Sequence, residues 1–201
     1  MSYPVFPIIP AFPMLYRLEY LTDAMESWNS EEQRVKLRGT PRSVAELRYI
    51  LNRYDVSIYQ AALYKNVFRH NDPDALLHYI VPLWWDAQQL SYAPGGGVEI
   101  NCITTDYEWV IGEYAVMIAA ARLYDRKGAL KPDDYEVGVV SAINANSIEV
   151  EDVIGGDWDS GDWLIPGRVG YIEDAPKLKD LNDGAVAYEG SARLALEAVT
   201  E

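Results

Sequence analysis

Alternating apolar and polar positions run through much of the chain and predict strands. In residues 43–51 every second residue from Ala45 to Leu51 is apolar, which is the period of two of a half-buried strand. The same pattern predicts strands over residues 16–22, 35–38, 98–103 and 107–118. Much of the chain is therefore expected to fold as β-sheet.

Turn signals divide the second half into further strands. Asn144–Ala145–Asn146 separates residues 135–143 from residues 147–153 and predicts a hairpin. Residues 163–172 predict a strand bent at Pro166–Gly167. Residues 119–121 and 185–197 fit either a strand or a helix. Residues 80–90 contain Pro82 and two Trp residues and are expected to be extended and partly buried.

One segment changes period. Val56, Tyr59, Leu63 and Val67 recur at spacings of three and four, which predicts an amphipathic helix over residues 55–69. The fold class expected from these patterns is mainly β, a β-sandwich or barrel with one or two short helices, that is, a β-dominated α+β fold.

The N-terminus carries a second kind of repeat. Pro4, Pro7, Pro10 and Pro13 recur every three residues, so all four would share one face of a polyproline II helix. Residues 1–15 are expected to form an extended proline-rich arm, and residues 16–201 a single β-rich domain. Within that domain, residues 95–172 are expected to form a small barrel or an insertion.

Three roles are open for the arm. Its apolar residues, such as Phe6 and Phe12, cannot stay in water without cost. The arm can lie across the sheet of its own chain, cross to a neighbouring subunit, or serve as a ligand for a proline-binding module. It has no basic segment before its apolar residues, so it is not interpreted as a signal peptide.

The composition and net charge limit the classes of partner that the chain can bind. The chain has 15 Tyr and 6 Trp, and its net charge is −14. Most of that charge lies in residues 101–201, which would be repelled by phosphate backbones and by anionic lipid. We therefore expect no specific nucleic-acid binding. The single cysteine, Cys102, excludes an intrachain disulfide, and no apolar run is long enough to cross a bilayer.

The titratable residues do not form a known catalytic or metal-binding motif. His70 and His78 have no recognisable metal-ligand spacing. The tract from Asp157 to Asp162 begins like a calcium loop, but Arg168 stands where the bidentate Glu belongs. A carboxylate pair for hydrolysis would need two acids on separate strands. We expect no enzymatic activity and no cofactor.

Several segments, in order along the chain, resemble small distal-tail and tail-tip proteins of long-tailed, siphovirus-like bacteriophages. The resemblance spans roughly residues 12–172. Its segments are Phe12–Pro13 followed by Arg17–Leu18–Glu19–Tyr20–Leu21–Thr22–Asp23; Glu31–Glu32–Gln33–Arg34 with Leu37–Arg38 and Pro41–Arg42; Pro82–Leu83–Trp84–Trp85 with Gln88–Gln89–Leu90; and Asp159–Ser160–Gly161–Asp162–Trp163–Leu164–Ile165–Pro166 with Arg168.

The resemblance implies a virion structural protein that is made in the bacterial cytoplasm and ends in the phage tail. Such a protein forms a homo-oligomeric ring that joins the tail tube to the host-recognition apparatus. Its partners would be other copies of itself and the tube, hub and tape-measure proteins. The chain has no room for a full additional carbohydrate-binding domain, so receptor binding is not implied.

Ring subunits need aromatic and apolar anchors at their interfaces. The residues expected to supply them are Pro4, Pro7, Pro10, Pro13, Phe6, Phe12, Trp84, Trp85 and Trp109. Two other functions stay open. A carbohydrate- or calcium-binding β-module would be a monomer with an exposed aromatic platform, and a hydrolase would have two acids facing each other across a cleft.

Overall fold

The computed structural model describes residues 3–19, 22–26, 32–36, 42–60, 78–102, 107–120, 130, 132–173, 177–180 and 187–197. These residues are mostly β-strand, so the mainly β fold class with a short helix is confirmed. His70, one of the two histidines considered above as metal ligands, lies outside the described residues. The second half of the predicted helix also lies outside them.

Thirteen strands and one helical segment make up the described chain. The strands are β1 (Ala11–Glu19), β2 (Thr22–Glu26), β3 (Glu32–Lys36), β4 (Arg42–Asn52), β5 (His78–Pro82), β6 (Gln88–Tyr92), β7 (Glu99–Cys102), β8 (Tyr114–Ile118), β9 (Tyr135–Ile143), β10 (Ser147–Val150), β11 (Trp163–Ile172), β12 (Lys177–Asp180) and β13 (Ala187–Leu196). Residues 53–60, named α1, are helical, and single 3₁₀ turns cover Trp84–Asp86 and Pro132–Asp134.

Six strands pair in a closed cycle, which we call the barrel. The order around it is β11, β6, β7, β10, β9 and β8, and β8 pairs again with β11. Trp163 closes the cycle because it lies opposite Gln89 on one side and Ile118 on the other. A closed sheet has no edge strand, so each of these six strands has a neighbour on both sides.

The remaining strands of the large sheet form what we call the sheet unit. Its order is β1, β4, β13 and β11, with β5 on the far side of β11 and β12 on β13. All its pairings are antiparallel, and β4 and β13 match over ten residue pairs, from Ser43↔Leu196 to Asn52↔Ala187. β2 and β3 form a separate two-stranded sheet.

Strand β11 belongs to both units. Residues 163–167 pair with β8, whereas residues 167–171 pair with β5. The exchange occurs at Gly167, where a Cβ atom would come within 2.8 Å of Ile80. The predicted bend at Pro166–Gly167 thus marks the point where one strand passes from the barrel to the sheet unit.

The apolar side chains form three clusters. The barrel interior holds alternate residues of its strands, including Met117 of β8 and Leu164 of β11. The neighbours Val116 and Ile165 point the other way and join a second cluster outside the barrel wall. A third cluster lies under the sheet unit and contains the alternating residues of β4 that the sequence predicts.

The N-terminal arm lies between the two units of its own chain. Phe6 and Ile8 belong to the cluster under the sheet unit, whereas Val5 and Ile9 belong to the cluster on the barrel wall. The Phe6 N–H donates to the Ile80 carbonyl at 2.8 Å, and the Ile80 N–H donates to the Pro4 carbonyl at 2.8 Å. Of the three roles open for the arm, these residues show the first.

Most other strand predictions are confirmed, with three differences. The hairpin of β9 and β10 and the strand β11 form as expected, and the ambiguous segment 185–197 contains strand β13. Only Tyr114–Ile118 of the predicted strand 107–118 is a strand, because a turn at Ile111–Gly112 precedes it. Residues 80–90 are two strands joined by a 3₁₀ turn, and β1 begins at Ala11, inside the predicted arm.

Candidate assembly interface

Strand β1 is the edge of the sheet unit. Among the described residues, β4 is the strand paired with it, and its other side has no partner. Leu15 and Leu18 are each 49% exposed on this strand, and Tyr16 is 39% exposed. An edge strand that carries exposed apolar side chains is a surface on which another chain can pair or pack.

The outer face of the sheet unit carries a network of three arginines and three glutamates. Its contacts, between nitrogen and oxygen, are Arg17 to Glu46 at 2.6 Å and to Glu19 at 3.0 Å, Arg193 to Glu19 at 2.6 Å and to Glu173 at 2.7 Å, Arg42 to Glu19 at 3.6 Å, and Arg42 to Glu173. The network joins three strands and the end of β11, so it fixes the charged side chains of this face relative to one another.

Arg193 lies at the centre of the network. Desolvation lowers its pKa, but the carboxylates of Glu173 and Glu19 outweigh that effect and raise the pKa above its ordinary value. The guanidinium therefore stays charged, and the network is a lattice of ion pairs on a solvent-accessible face. Such exposed pairs add little to the free energy of unfolding and are weakened by salt.

A groove opens beside this network. It has a volume of about 530 Å³, and its lining includes Met14 and Leu15 of β1, Arg48 of β4, and Ser191 of β13. Arg48 lies directly opposite Ser191 in the β4–β13 register. Its side chain is exposed and has no ion pair or side-chain hydrogen bond within the described part of the chain. The lining also includes Glu46 and Arg193 of the ion-pair network, so the groove combines apolar surface with paired charges and with the unpaired Arg48.

A buried carboxylate lies where the barrel meets the sheet unit. The side chain of Glu113, just before β8, has no exposed surface. Tyr107 Oη donates to its Oε1 at 2.5 Å, and Arg168 Nε of β11 lies 3.5 Å from the same oxygen. Burial raises the pKa of Glu113, and the contacts with Tyr107 and Arg168 oppose that rise. This cluster holds the loop before β8 on β11.

The acidic tract after β10 is organised by backbone amides. Asp157 accepts from the Gly95 N–H at 2.8 Å, and Asp162 accepts from the Ala120 N–H at 2.8 Å. Glu136 accepts from Trp158 Nε1 at 2.9 Å and also from the Gly155 N–H. Within the described residues, no group of three or more His, Cys, Asp or Glu side chains is arranged to hold a metal ion.

The predicted interface residues lie mainly inside the chain. Phe6 is fully buried and packs edge-on against Tyr59 and Tyr79. Trp84 is buried in the cluster on the barrel wall, and Trp109 is buried in the barrel. Side chains packed in this way have little surface left for a neighbouring subunit, because their aromatic area is already removed from water.

The other predicted residues divide similarly. Pro7 and Pro10 are buried, and Pro4 is half-buried. Trp85 is half-buried and keeps one face against Tyr16, with ring centroids 4.9 Å apart. Phe12 and Pro13 belong to β1, but their side chains lie outside the described residues.

Sequence reasoning did not find the surfaces that the structure leaves open. The segments that contain Leu15, Leu18 and Arg48 show the alternation of apolar and polar residues that predicts a strand. That alternation does not show which strand lies at the edge of a sheet. The burial of Glu113 also has no local signal, since its partner Arg168 lies 55 residues away. His78 lies at the start of β5 with its Nε2 3.0 Å from Glu197, which is a surface contact.

No protein-family model matches the chain, and no curated protein matches it with significant similarity. Among the described residues, no helix is long and apolar enough to cross a membrane.

Proposed function

We propose that the chain is a non-enzymatic structural subunit of a bacteriophage tail tip. In this role it forms a ring, as a distal-tail or adaptor protein, between the tail tube and the host-recognition apparatus. The observation that carries the proposal is strand β1, an edge with Leu15, Tyr16 and Leu18 exposed beside a fixed lattice of ion pairs. An open apolar edge on an otherwise closed framework suits a protein that functions by association.

The framework supports this role in a second way. The barrel and the sheet unit share strand β11, and the arm packs between them through Val5 and Phe6. Two units joined by one continuous strand, with one arm packed against both, resist relative movement. A ring subunit has to transmit its position to its neighbours, which a rigid connection permits.

The charge distribution supports a position near passing DNA. Residues 88–167 contain 14 Asp and Glu residues and four Lys and Arg residues, a net charge of −10. A strongly negative net charge repels a polyanion. In the proposed role the protein requires no cofactor, is located in the virion tail, and has as partners its own copies and the tube, hub and tape-measure proteins.

A substitution on the open edge tests the proposal. The mass of the full chain in solution is measured by light scattering at increasing concentration, for the wild type, for Leu18→Lys and for the control Ile143→Lys. Ile143 is also exposed, at 45%, but lies on the barrel. We expect an oligomer that Leu18→Lys weakens and the control leaves intact. Equal masses for all three chains would contradict a role for β1.

A carbohydrate-binding module is the second candidate. The observation that favours it is the Tyr16–Trp85 pair, in which Tyr16 is 39% exposed and can present an aromatic face. A monomeric wild type whose tryptophan fluorescence changes with host surface polysaccharide, and does not change in Tyr16→Ala, would favour this function over the tail ring.

A further inference from the structure

The loop that follows β10 of the barrel carries exposed negative charge. Glu151 and Asp152 follow β10 and are exposed, and the next residue, Val153, is 63% exposed. Neither carboxylate has a hydrogen-bond or ion-pair partner within the described part of the chain. The loop therefore presents one apolar side chain next to two unpaired negative charges.

The position of this loop is set by the strand order. β10 is the third strand from β11 in both directions around the barrel, so it lies on the wall farthest from the shared strand. The Glu151 N–H donates to the Val139 carbonyl at 2.9 Å, and the Val150 N–H donates to the Val98 carbonyl at 2.9 Å. These bonds anchor the start of the loop on the neighbouring backbone.

The groove on the sheet unit offers complementary chemistry. Met14 and Leu15 supply apolar surface, and Arg48 supplies an unpaired guanidinium. A second cation, Lys179, lines the adjoining depression together with Arg48 and Ser191. The two linings also contain Arg193 and two acids, Glu46, which pairs with Arg17, and Glu189. Three cations outnumber these two acids, so an apolar tip that carries carboxylates meets a net positive surface there.

We propose that residues 151–153 of one copy of this chain dock in the groove between β1 and β13 of a second copy. The inference rests on the proposed function and names its subunit contact. Asp152 and Glu151 face Arg48 and Lys179, and Val153 covers Leu15. The loop and the groove are different surfaces on separate units, so the contact runs head to tail. A head-to-tail contact that closes produces a cyclic ring.

Charge reversal tests this contact with the full chain. Arg48→Glu makes the groove side acidic, and Asp152→Arg makes the loop side basic, so each variant places like charges together. We expect each to weaken self-association about 10- to 100-fold relative to wild type, measured from the concentration dependence of mass. The controls are Arg53→Glu and Asp159→Arg, which make the same charge changes at exposed residues outside the groove and the loop.

Restoring the opposite charges completes the test. The double variant Arg48→Glu/Asp152→Arg is expected to recover assembly, and so is an equimolar mixture of the two single variants, since each then presents a partner for the other. Circular dichroism of every variant shows whether it is folded. Recovery in the double variant supports the contact even if one single variant is destabilised.

The contradicting outcomes are distinct. If the wild type assembles and the reversals act like their controls, or the double variant does not recover, the loop does not occupy the groove, although the ring proposal stands. If the wild type stays monomeric at all concentrations, self-association itself fails, and this contact fails with it.

Discussion

The barrel and the sheet unit differ in how their charged side chains are paired and in whether they have an edge strand. The barrel closes on itself, and Arg168 of β11 is the one Lys or Arg in its described strands. Several of them, such as Asp157 and Glu136, accept from backbone N–H groups of turns. The sheet unit ends in the open strand β1 and pairs three arginines with three glutamates. Carboxylates of the closed unit thus accept at turns or stay exposed in its loops, while the open unit presents an unpaired edge and a fixed charge pattern.

The arm that joins the two units provides the largest expected effect. Phe6→Ala removes a fully buried ring between Tyr59 and Tyr79, which should lower the free energy of unfolding by about 3–5 kcal/mol. Tyr3→Ala, at a residue that is 36% exposed, is the control and should change it little. Chemical denaturation measures both. If Phe6→Ala lost assembly but kept its stability, the arm would belong to a neighbour instead.

The junction between the units should be sensitive to the loss of its buried acid. Glu113→Ala leaves Tyr107 and the half-buried Arg168 without their shared acceptor, which should cost about 1–3 kcal/mol. Glu113→Gln keeps the size of the side chain and an acceptor oxygen and should cost less. Urea denaturation at neutral pH measures both, and equal stability of all three chains would show that the cluster is not structural.

The same residue predicts a pH dependence. Burial raises the folded-state pKa of Glu113, so the folded chain holds this proton more tightly than the unfolded chain. The contribution of Glu113 to the free energy of unfolding is therefore greatest below the pKa of a glutamate in the unfolded chain, about 4.3. That contribution is lost as the pH rises through the raised pKa of the folded chain. In Glu113→Gln, the free energy of unfolding should change less with pH over this range than it does in the wild type. The same pH dependence in both chains would contradict a raised pKa for Glu113.

The turns of the barrel should have an intermediate effect. Glu136→Gln weakens the acceptor for Trp158 Nε1 and for the Gly155 N–H, with an expected cost of about 0.5–1.5 kcal/mol. The loss should depend little on salt, since the bonds are local. Thermal unfolding at low and high salt measures it, with Glu149→Gln on the same barrel as the control.

The ion-pair network should have the smallest effect and the strongest salt dependence. Arg193→Met removes the contacts with Glu19 and Glu173 and should lower the free energy of unfolding slightly at low salt, because exposed ion pairs are weak. The difference from wild type should shrink in molar salt, where charges are screened within about 3 Å. A cost that salt leaves unchanged would mean that packing, not charge, holds this face.

The local parts of the fold follow from sequence, and the long-range parts do not. The alternation in β4 and the hairpin of β9 and β10 are visible because side-chain period and turn residues are local properties. The closure of the barrel depends on Trp163 meeting Gln89 and Ile118, which are 74 and 45 residues away. No local pattern encodes such a meeting.

The candidate interface is harder to predict for the same reason. The enrichment of aromatic residues in interfaces predicts Phe6 and Trp109 at a surface, but protein cores select the same residues. Leu15 and Leu18 appear ordinary until the sheet order shows that β1 is an edge. The exposed side of a strand is set by what the rest of the chain covers.

The mass of the full-length chain in solution, measured by light scattering with particle images at rising concentration, tests the central claim most directly. The account predicts that chains of 22.7 kDa associate into a closed ring of one size with a central opening. A chain that remains monomeric at every concentration, or that grows into particles of unlimited size, would contradict it.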